Sequence, residues 1–285
     1  MKKIYVWFHK LPKQVQDSFV FSMSVVGVIS TLFTVLGISM ANIATGSVWK
    51  RIGIVVIGFI LLALGYYWVI GKIYRNSVTL SVGQNHVEIS CGDIFHTAGM
   101  KVIGCDTHFD IRVDDIVIAK TSLHGKLILN HGSTDEIQSV VKENARRLGL
   151  VKNADGLYDF PLGTIIKYES SVDGQTYLLL ALSKLDTEYK ARTNMATYEF
   201  TLMKMWKEID RVYAEHDIAL PILGNGILRF DGTPKDTESL LRCMLCTLNS
   251  SGVSFNSKIK VLIYGKSKEI PLYEYKNIFN VISRG

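Results

Sequence analysis

The sequence predicts an α/β domain, a three-layer α/β/α sandwich around a mixed sheet, preceded by an N-terminal two-helix transmembrane hairpin. Three observations predict it. Two long stretches, Ser18 to Trp49 and Ile52 to Gly71, contain no charged residue and are separated only by Lys50 and Arg51. Beyond Arg75, apolar runs of strand length alternate with longer segments of helical periodicity. Strands interleaved with helices pack as a sheet covered on both faces.

The apolar stretches come first in the chain. A helix needs about 20 apolar residues to cross the hydrocarbon layer, and Phe19 to Ala44 and Ile52 to Ile73 meet that length. A soluble core helix keeps a polar stripe, which neither stretch has. A cleaved signal peptide accounts for the first stretch only. Residues 1–75 hold eight Lys and Arg residues against the single acid Asp17. That segment alone exceeds the whole chain's +6, so residues 77–285 are slightly acidic and the basic balance does not point to nucleic acid. Lysines precede the first span, and Lys72 and Arg75 follow the second. The positive-inside rule then places both chain ends, and the α/β domain, on the cytoplasmic side of a membrane crossed by a two-pass anchor. Trp7, Trp49, Tyr66, Tyr67, Trp68 and Tyr74 fall where interfacial aromatic belts form.

Within the first span Gly27, Ser30, Thr34, Gly37 and Ala41 recur every three or four residues, a seam of small side chains on one helix face. Helices in lipid associate along such seams. Two uses are open and compatible: packing against the second span, or self-association with other copies.

In the α/β domain, strands are read at Ser77–Val82, His86–Ser90, Lys101–Cys105, Asp115–Ala119, Gly163–Glu169, Thr176–Ser183, Ile218–Pro221 and Ser257–Ile263. Helices are read at Ser133–Leu148, Asn194–Glu215, Lys235–Ser250 and Pro271–Ile282. Thr193 or Asn194 caps the second of these, whose apolar face is Tyr198, Leu202, Met205, Trp206, Ile209 and Tyr213. In such sheets ligands sit at the carboxyl ends of strands. Four loops there carry polar or glycine-rich chemistry: 91–94 (Cys-Gly-Asp-Ile), 106–109 (Asp-Thr-His-Phe), 121–126 (Thr-Ser-Leu-His-Gly-Lys) and 221–227 (Pro-Ile-Leu-Gly-Asn-Gly-Ile). Glycines let backbone N–H groups approach phosphate oxygens, although a lone Gly-Asn-Gly is also an ordinary turn.

Taken in order, these loops resemble those of macro domains, and the further segments 160–164, 177–186 and 191–198 stand where that family has theirs. With the hairpin in front, the chain is similar to the membrane-attached macro-domain effectors of Thoeris anti-phage defence systems. The resemblance implies an ADP-ribose-type ligand in a cleft above the sheet. It implies that Asp93 accepts a hydrogen bond from the adenine amino group, with the Ile94 N–H beside it. Ser122, Leu123, His124, Gly125 and Lys126 match the first phosphate loop, which wraps diphosphate and distal ribose. Gly224, Asn225, Gly226, Ile227 and Leu228 match the second. Asp106 stands where macro-domain hydrolases carry asparagine, and Thr-Ser-Leu-His-Gly replaces their glycine run. An ionised carboxylate cannot donate the amide's hydrogen bonds. Recognition without catalysis, and without a cofactor, is therefore expected.

Other chemistry is sparse. Cys243 and Cys246 form a CxxC inside a helical segment with no second pair for a metal. HExxH, GxSxG and Walker motifs are absent from the sequence. The resemblance implies a defence effector. A TIR-domain partner makes an ADP-ribose conjugate from NAD, the ligand drives homo-oligomerisation, and the hairpins disrupt the membrane to arrest or kill the infected cell. Two alternatives are a membrane-tethered ADP-ribosyl hydrolase, with His124 as a base, and a passive anchored binding module.

Overall fold

The computed structural model describes residues 7–8, 11–36, 47–226, 228–232, 234–265 and 272–278. They form two units. One holds the apolar helices together with residues 272–275, and the other holds the chain from Ser77 onward with Ile278.

In the first unit, α1 (Lys13–Val35) and α2 (Val48–Ile73) lie antiparallel, with Gln14 Nε2 donating to the Tyr67 carbonyl at 2.7 Å and Phe19 edge-on to Phe59. Helix α1 starts at Lys13, earlier than its uncharged run, because Pro12 is well suited to precede a first turn and Lys13 and Asp17 pair at 3.4 Å. Both helices are long and apolar enough to cross a membrane. Almost nothing of either is covered: Ser18 and Ser22 are the buried residues of α1, and α2 has none. The two serines mark the side facing α2, and each hydroxyl bonds the carbonyl one turn back. At 3.6 residues per turn, Gly27, Ser30 and Thr34 lie roughly 130° round the axis from that side. They are exposed, and nothing lies within 4 Å of a side chain built at Gly27. Among the described residues the small-residue seam is therefore not the hairpin's internal contact. Gly37 and Ala41 lie outside the described residues, as does the remainder of the first predicted span.

The second unit is built on one mixed sheet. Its strands are β1 (Ser77–Val82), β2 (Asn85–Cys91), β3 (Met100–Asp106), β4 (Ile165–Glu169), β5 (Thr176–Leu185), β6 (Ala191–Thr193), β7 (Ile218–Pro221), β8 (Arg229–Phe230) and β9 (Ile259–Ile263). The spatial order is β1-β2-β9-β7-β3-β5-β6-β8, with β4 on the same edge of β5. Strands β2, β9, β7, β3 and β5 run parallel; β1 and β4 are antiparallel to their partners, and β6 is antiparallel to β5 but parallel to β8. The parallel strands are apolar on both faces, as sheets buried on two sides require.

One face meets α5 (Met195–Val212) and α6 (Thr237–Ser251). Asn194 caps α5 by accepting from the Thr197 N–H at 2.9 Å, and the apolar stripe Tyr198, Leu202, Met205, Trp206 and Ile209 is wholly buried. Asp236 caps α6, which stops at Gly252 in the left-handed conformation. The other face is covered by a short helix α3 (Leu123–Lys126), the π-helical turn Leu127–His131 that continues it, and α4 (Thr134–Arg147). Ile103, Cys105, Tyr177, Leu179 and Ala181 project into that layer against Leu127, Ile137 and Val141.

One predicted strand is wrong. Asp115–Ala119 is a looped turn, because Asp114 Oδ1 accepts from the Ile116 and Val117 N–H groups, Asp115 Oδ1 accepts from Lys120 N–H, and Asp115 is left-handed at φ +65°. These carboxylates satisfy backbone donors that a strand would have spent on a neighbour. The stretch after it is helix rather than loop. The predicted C-terminal helix is a 3₁₀ segment, Leu272–Asn277, as far as the described residues go.

Trp206 is 1% exposed, and its indole N–H donates to Thr247 Oγ1 at 3.2 Å between α5 and α6. Trp206→Ala is expected to cost about 3–5 kcal/mol, read as a lowered denaturant midpoint with a cooperative transition.

Candidate functional site

The five parallel strands end together, so the loops after them gather at one end of the sheet. There they enclose a cleft of about 410 Å³. Its floor is Gly104, Cys105 and Asp106 from β3, Leu182 and Ser183 from β5, Pro221 from β7 and Leu262 from β9. One wall is Thr121, Ser122, Leu123, His124 and Lys126; the other is Gly224, Asn225, Gly226 and Leu228. Tyr264 forms part of the rim, with Lys126 Nζ 5.4 Å from its ring centre. A larger hollow of about 600 Å³ lies between α4 and α5, lined by Arg147, Lys204, Lys207 and Arg211. It sits away from the strand ends, and Arg147 and Arg211 belong to helix last turns, where cations complement the helix dipole.

The first wall folds as it does because Ser122 does two things. Its Oγ donates to the Ala119 carbonyl at 2.7 Å and accepts from the Gly125 N–H at 2.9 Å. Gly125 is required by packing: a Cβ there would stand 2.3 Å from the Ala119 oxygen. The second wall is held from behind. Buried Tyr198 of α5 donates its hydroxyl to the Leu223 carbonyl at 2.7 Å, and its ring meets Phe230 edge-on. Gly224 is left-handed at φ +82°, which only glycine adopts freely. Gly226 is different, since nothing lies within 4 Å of a Cβ built there. Thr237 Oγ1, at the start of α6, lies 3.2 Å from Asn225 Oδ1 and ties the loop to that helix. Strand β8 lies between that loop and α6 in the chain.

Asp106 ends β3 buried, with Oδ1 accepting the His108 N–H at 2.7 Å. His124 is also buried in the wall, and burial lowers its pKa against the opposing charges of Asp106 and Asp110, leaving a neutral imidazole. Burial, reinforced by the Asp106 charge, pushes the Cys105 thiol well above its usual range. It is no nucleophile at neutral pH. Asp110 is clamped by Arg112, with Nη2 to Oδ2 at 2.6 Å and Nε within 3.1 Å of both oxygens. Burial alone raises its carboxyl, but the Arg112 hydrogen bonds outweigh that and hold it below the usual range.

The structure brings together Asp106, Ser122, Leu123, His124, Lys126, Gly224, Asn225, Gly226 and Leu228. Gly125 stands behind the wall. Asp93 and Ile94 do not line the cleft. Asp93 accepts the Phe95 N–H at 3.0 Å, capping a 3₁₀ turn, and Ile94 is 3% exposed in the core. The site of Asp93 still adjoins the cleft through the sheet, because Gly92 N–H donates to the Ile263 carbonyl between Leu262 and Tyr264. Ile227 lies outside the described residues. Sequence reasoning passed over Tyr198, Ser183 and Tyr264. The first was indistinguishable from its apolar helix neighbours, but Ser183 and Tyr264 each end or follow an apolar run, which is the position that supplies ligand contacts.

A mixed α/β/α sandwich with two glycine-bearing loops over its strand ends defines a macrodomain. The fold matches a variant macrodomain of Oceanobacillus iheyensis solved with ADPR, at a TM-score of 0.50 and 13% identity, covering 73% of this chain and all of that one. The family model described as Thoeris protein ThsA, Macro domain, matches residues 87–264. The Thoeris protein ThsA of Bacillus amyloliquefaciens (strain Y2) is 30% identical over 217 residues, 72% of this chain and 71% of that protein. The chain belongs to the ThsA macro-domain family of Thoeris proteins.

The depressed Asp110 pKa sets a pH signature. Its stabilising contribution is complete above the unfolded carboxyl pKa, about 4, and is lost as pH falls through the lower folded value. Asp110→Asn is expected to cost about 1–3 kcal/mol at pH 7, discounted because Arg112 is half-exposed. The gap from wild type should narrow at pH 3, as measured by denaturant midpoints at the two pH values.

Proposed function

We propose that the protein is a bacterial anti-phage defence effector whose cleft senses an ADP-ribose-derived nucleotide and whose hairpin disrupts the cell membrane in response. The observation that carries this reading is the pairing of a two-walled nucleotide cleft with two exposed apolar helices of spanning length. Membership of the Thoeris family supports the defence role. The solved macrodomain with ADPR supports the ligand class.

The ligand lies along the row of strand ends. From β2 to β5 that row crosses four strand spacings, roughly 19 Å, enough for an extended nucleoside diphosphate sugar. The diphosphate sits between Ser122–Lys126 and Gly224–Leu228, where Lys126 adds positive charge. The base lies toward Tyr264 and Asp93, and the distal ribose toward Asp106 and His124. Asp106 offers acceptors only when ionised, so we read the cleft as a receptor and not as a hydrolase, and it needs no cofactor. The signal is an ADP-ribose conjugate made from NAD by a TIR-domain enzyme.

In the same reading α1 and α2 span the inner membrane with both ends and the cleft domain cytoplasmic, in keeping with the lysines before α1 and Lys72 after the apolar run of α2. Ligand drives homo-oligomerisation, and copies meet along Gly27, Ser30 and Thr34, the face turned away from α2. The outcome is arrest or death of the infected cell.

Calorimetry with ADP-ribose tests the cleft. Gly226→Glu adds a carboxylate into open space and is expected to weaken binding at least tenfold with stability unchanged, and Asp93→Ala to weaken it several-fold. Binding by wild type and variants alike would refute the assignment, and release of free product from ADP-ribosylated substrate would favour a hydrolase.

Dye release from vesicles tests the output. Ligand should release dye with wild type, whereas Gly27→Leu should abolish release while leaving affinity within twofold. Ligand binding with no release would mark a passive anchor.

A further inference from the structure

Residues 272–275 come from the far end of the chain yet belong with the helical hairpin. Leu272 and Tyr273 are 2% and 4% exposed. The Tyr273 hydroxyl donates to Asp17 Oδ2 at 2.5 Å, and its ring meets Tyr74 edge-on at 5.3 Å. Asp17 lies in the second turn of α1 and Tyr74 caps the end of α2. One side chain therefore grips both helices at their shared foot. Asp17 is the only acid in residues 1–75, so no other carboxylate there offers Tyr273 a charged acceptor.

The same short segment is tied to the ligand cleft from two directions. Upstream, it follows β9, whose Leu262 and whose succeeding Tyr264 line the cleft. Tyr264 precedes Leu272 by eight positions. Downstream, the Ile278 carbonyl accepts from Arg242 Nη1 at 2.7 Å. Arg242 is on α6, and the first residue of α6, Thr237, contacts Asn225 in the second cleft wall. A rearrangement of the second wall thus has a hydrogen-bonded route, and one of the β9 floor and rim a covalent route, to the Leu272–Asn277 turn.

We propose that this C-terminal turn is the coupling strap of the protein, with the Tyr273–Asp17 contact passing the state of the cleft to the foot of the hairpin. The inference rests on the proposed ligand-sensing function. It adds a route and two residues that touch neither ligand nor seam. A coupling element changes the response to ligand more than the binding of ligand. Removing the Tyr273 hydroxyl leaves its ring packed on Tyr74 and takes away only the bond to Asp17.

The test uses the full chain. Wild type, Tyr273→Phe and Asp17→Asn are placed in vesicles of phosphatidylethanolamine and phosphatidylglycerol, with ADP-ribose as the probe. Each variant is expected to need about tenfold more ADP-ribose for half-maximal dye release, the scale of one charge-assisted hydrogen bond. Calorimetric affinity should stay within threefold of wild type. The double variant should be no worse than either single one, because both remove the same bond. Unchanged release, additive losses, release without ADP-ribose, or affinity falling in parallel would each overturn the strap.

Hydrogen exchange on the same proteins separates this from failure of the ligand reading. In wild type, ADP-ribose should alter exchange at the cleft loops, at residues 272–278 and at residues 13–18. In Tyr273→Phe the change should stop at the cleft. Protection of the wild-type cleft alone overturns the strap and keeps the ligand assignment. No calorimetric binding and no change anywhere overturns the ligand assignment, and the strap with it.

Discussion

The common direction of β2, β9, β7, β3 and β5 is the constraint on which the rest of the second unit depends. Parallel pairing needs a crossover after each strand, and the crossovers supply the helices that cover both faces. It also sends every strand's exit to one end of the sheet, where 91–94, 106–109, 221–226 and Tyr264 gather from separate parts of the chain. The antiparallel strand β1 adds to this. Ser77 pairs with Ser90, so the chain leaving α2 enters the sheet at the same end as the cleft.

The walls of the cleft show how a sparsely charged site is made rigid. Among the described residues few ionisable groups line it, namely Asp106, His124 and Lys126 with the Cys105 thiol and the Tyr264 phenol. What fixes it is hydrogen bonding from outside the cavity: Ser122 to Ala119 and Gly125, Tyr198 to the Leu223 carbonyl, and His108 N–H to Asp106. Burial keeps the His124 imidazole neutral although the Asp106 and Asp110 carboxylates near it favour the charged form. Backbone N–H groups held still by such contacts bind an anion without first paying to order themselves.

Much of the fold was legible because period-2 and period-3.6 patterns are set by burial, and burial on both sides of this sheet is extensive. β1, β2, β3, β5 and β7, together with α4, α5 and α6, follow from that pattern to within a few residues. Asp115–Ala119 misled because an apolar triplet after two acids looks like a strand entry, while the decisive events are Asp114 and Asp115 side chains bonding local N–H groups. Such competition depends on geometry a few ångströms across and leaves no periodic trace. The candidate loops were legible from glycines and position. Tyr198 was not, because its hydroxyl works at the end of an apolar face. Asp93 shows the opposite limit: the motif is plain in the sequence, whereas the cap its carboxylate makes on the Phe95 N–H leaves no mark there.

A cleft that binds a soluble ligand and a hairpin that meets lipid exchange free energy only through elements that have a different contact set in two states. The ligand's differential affinity, a few kcal/mol at most for ordinary couplings, must not be dissipated in a loose linker. Two features limit that loss here. The first is the short link of Tyr74, Arg75 and Asn76 between α2 and β1. The second is the returning turn at 272–277, which converts a single covalent connection into two. A domain joined to a helix pair at one point can swivel about it, whereas one joined at two points transmits torque. Tyr273 meets α1 at Asp17 and the end of α2 at Tyr74, so a change at that one side chain reaches both helices of the hairpin at once.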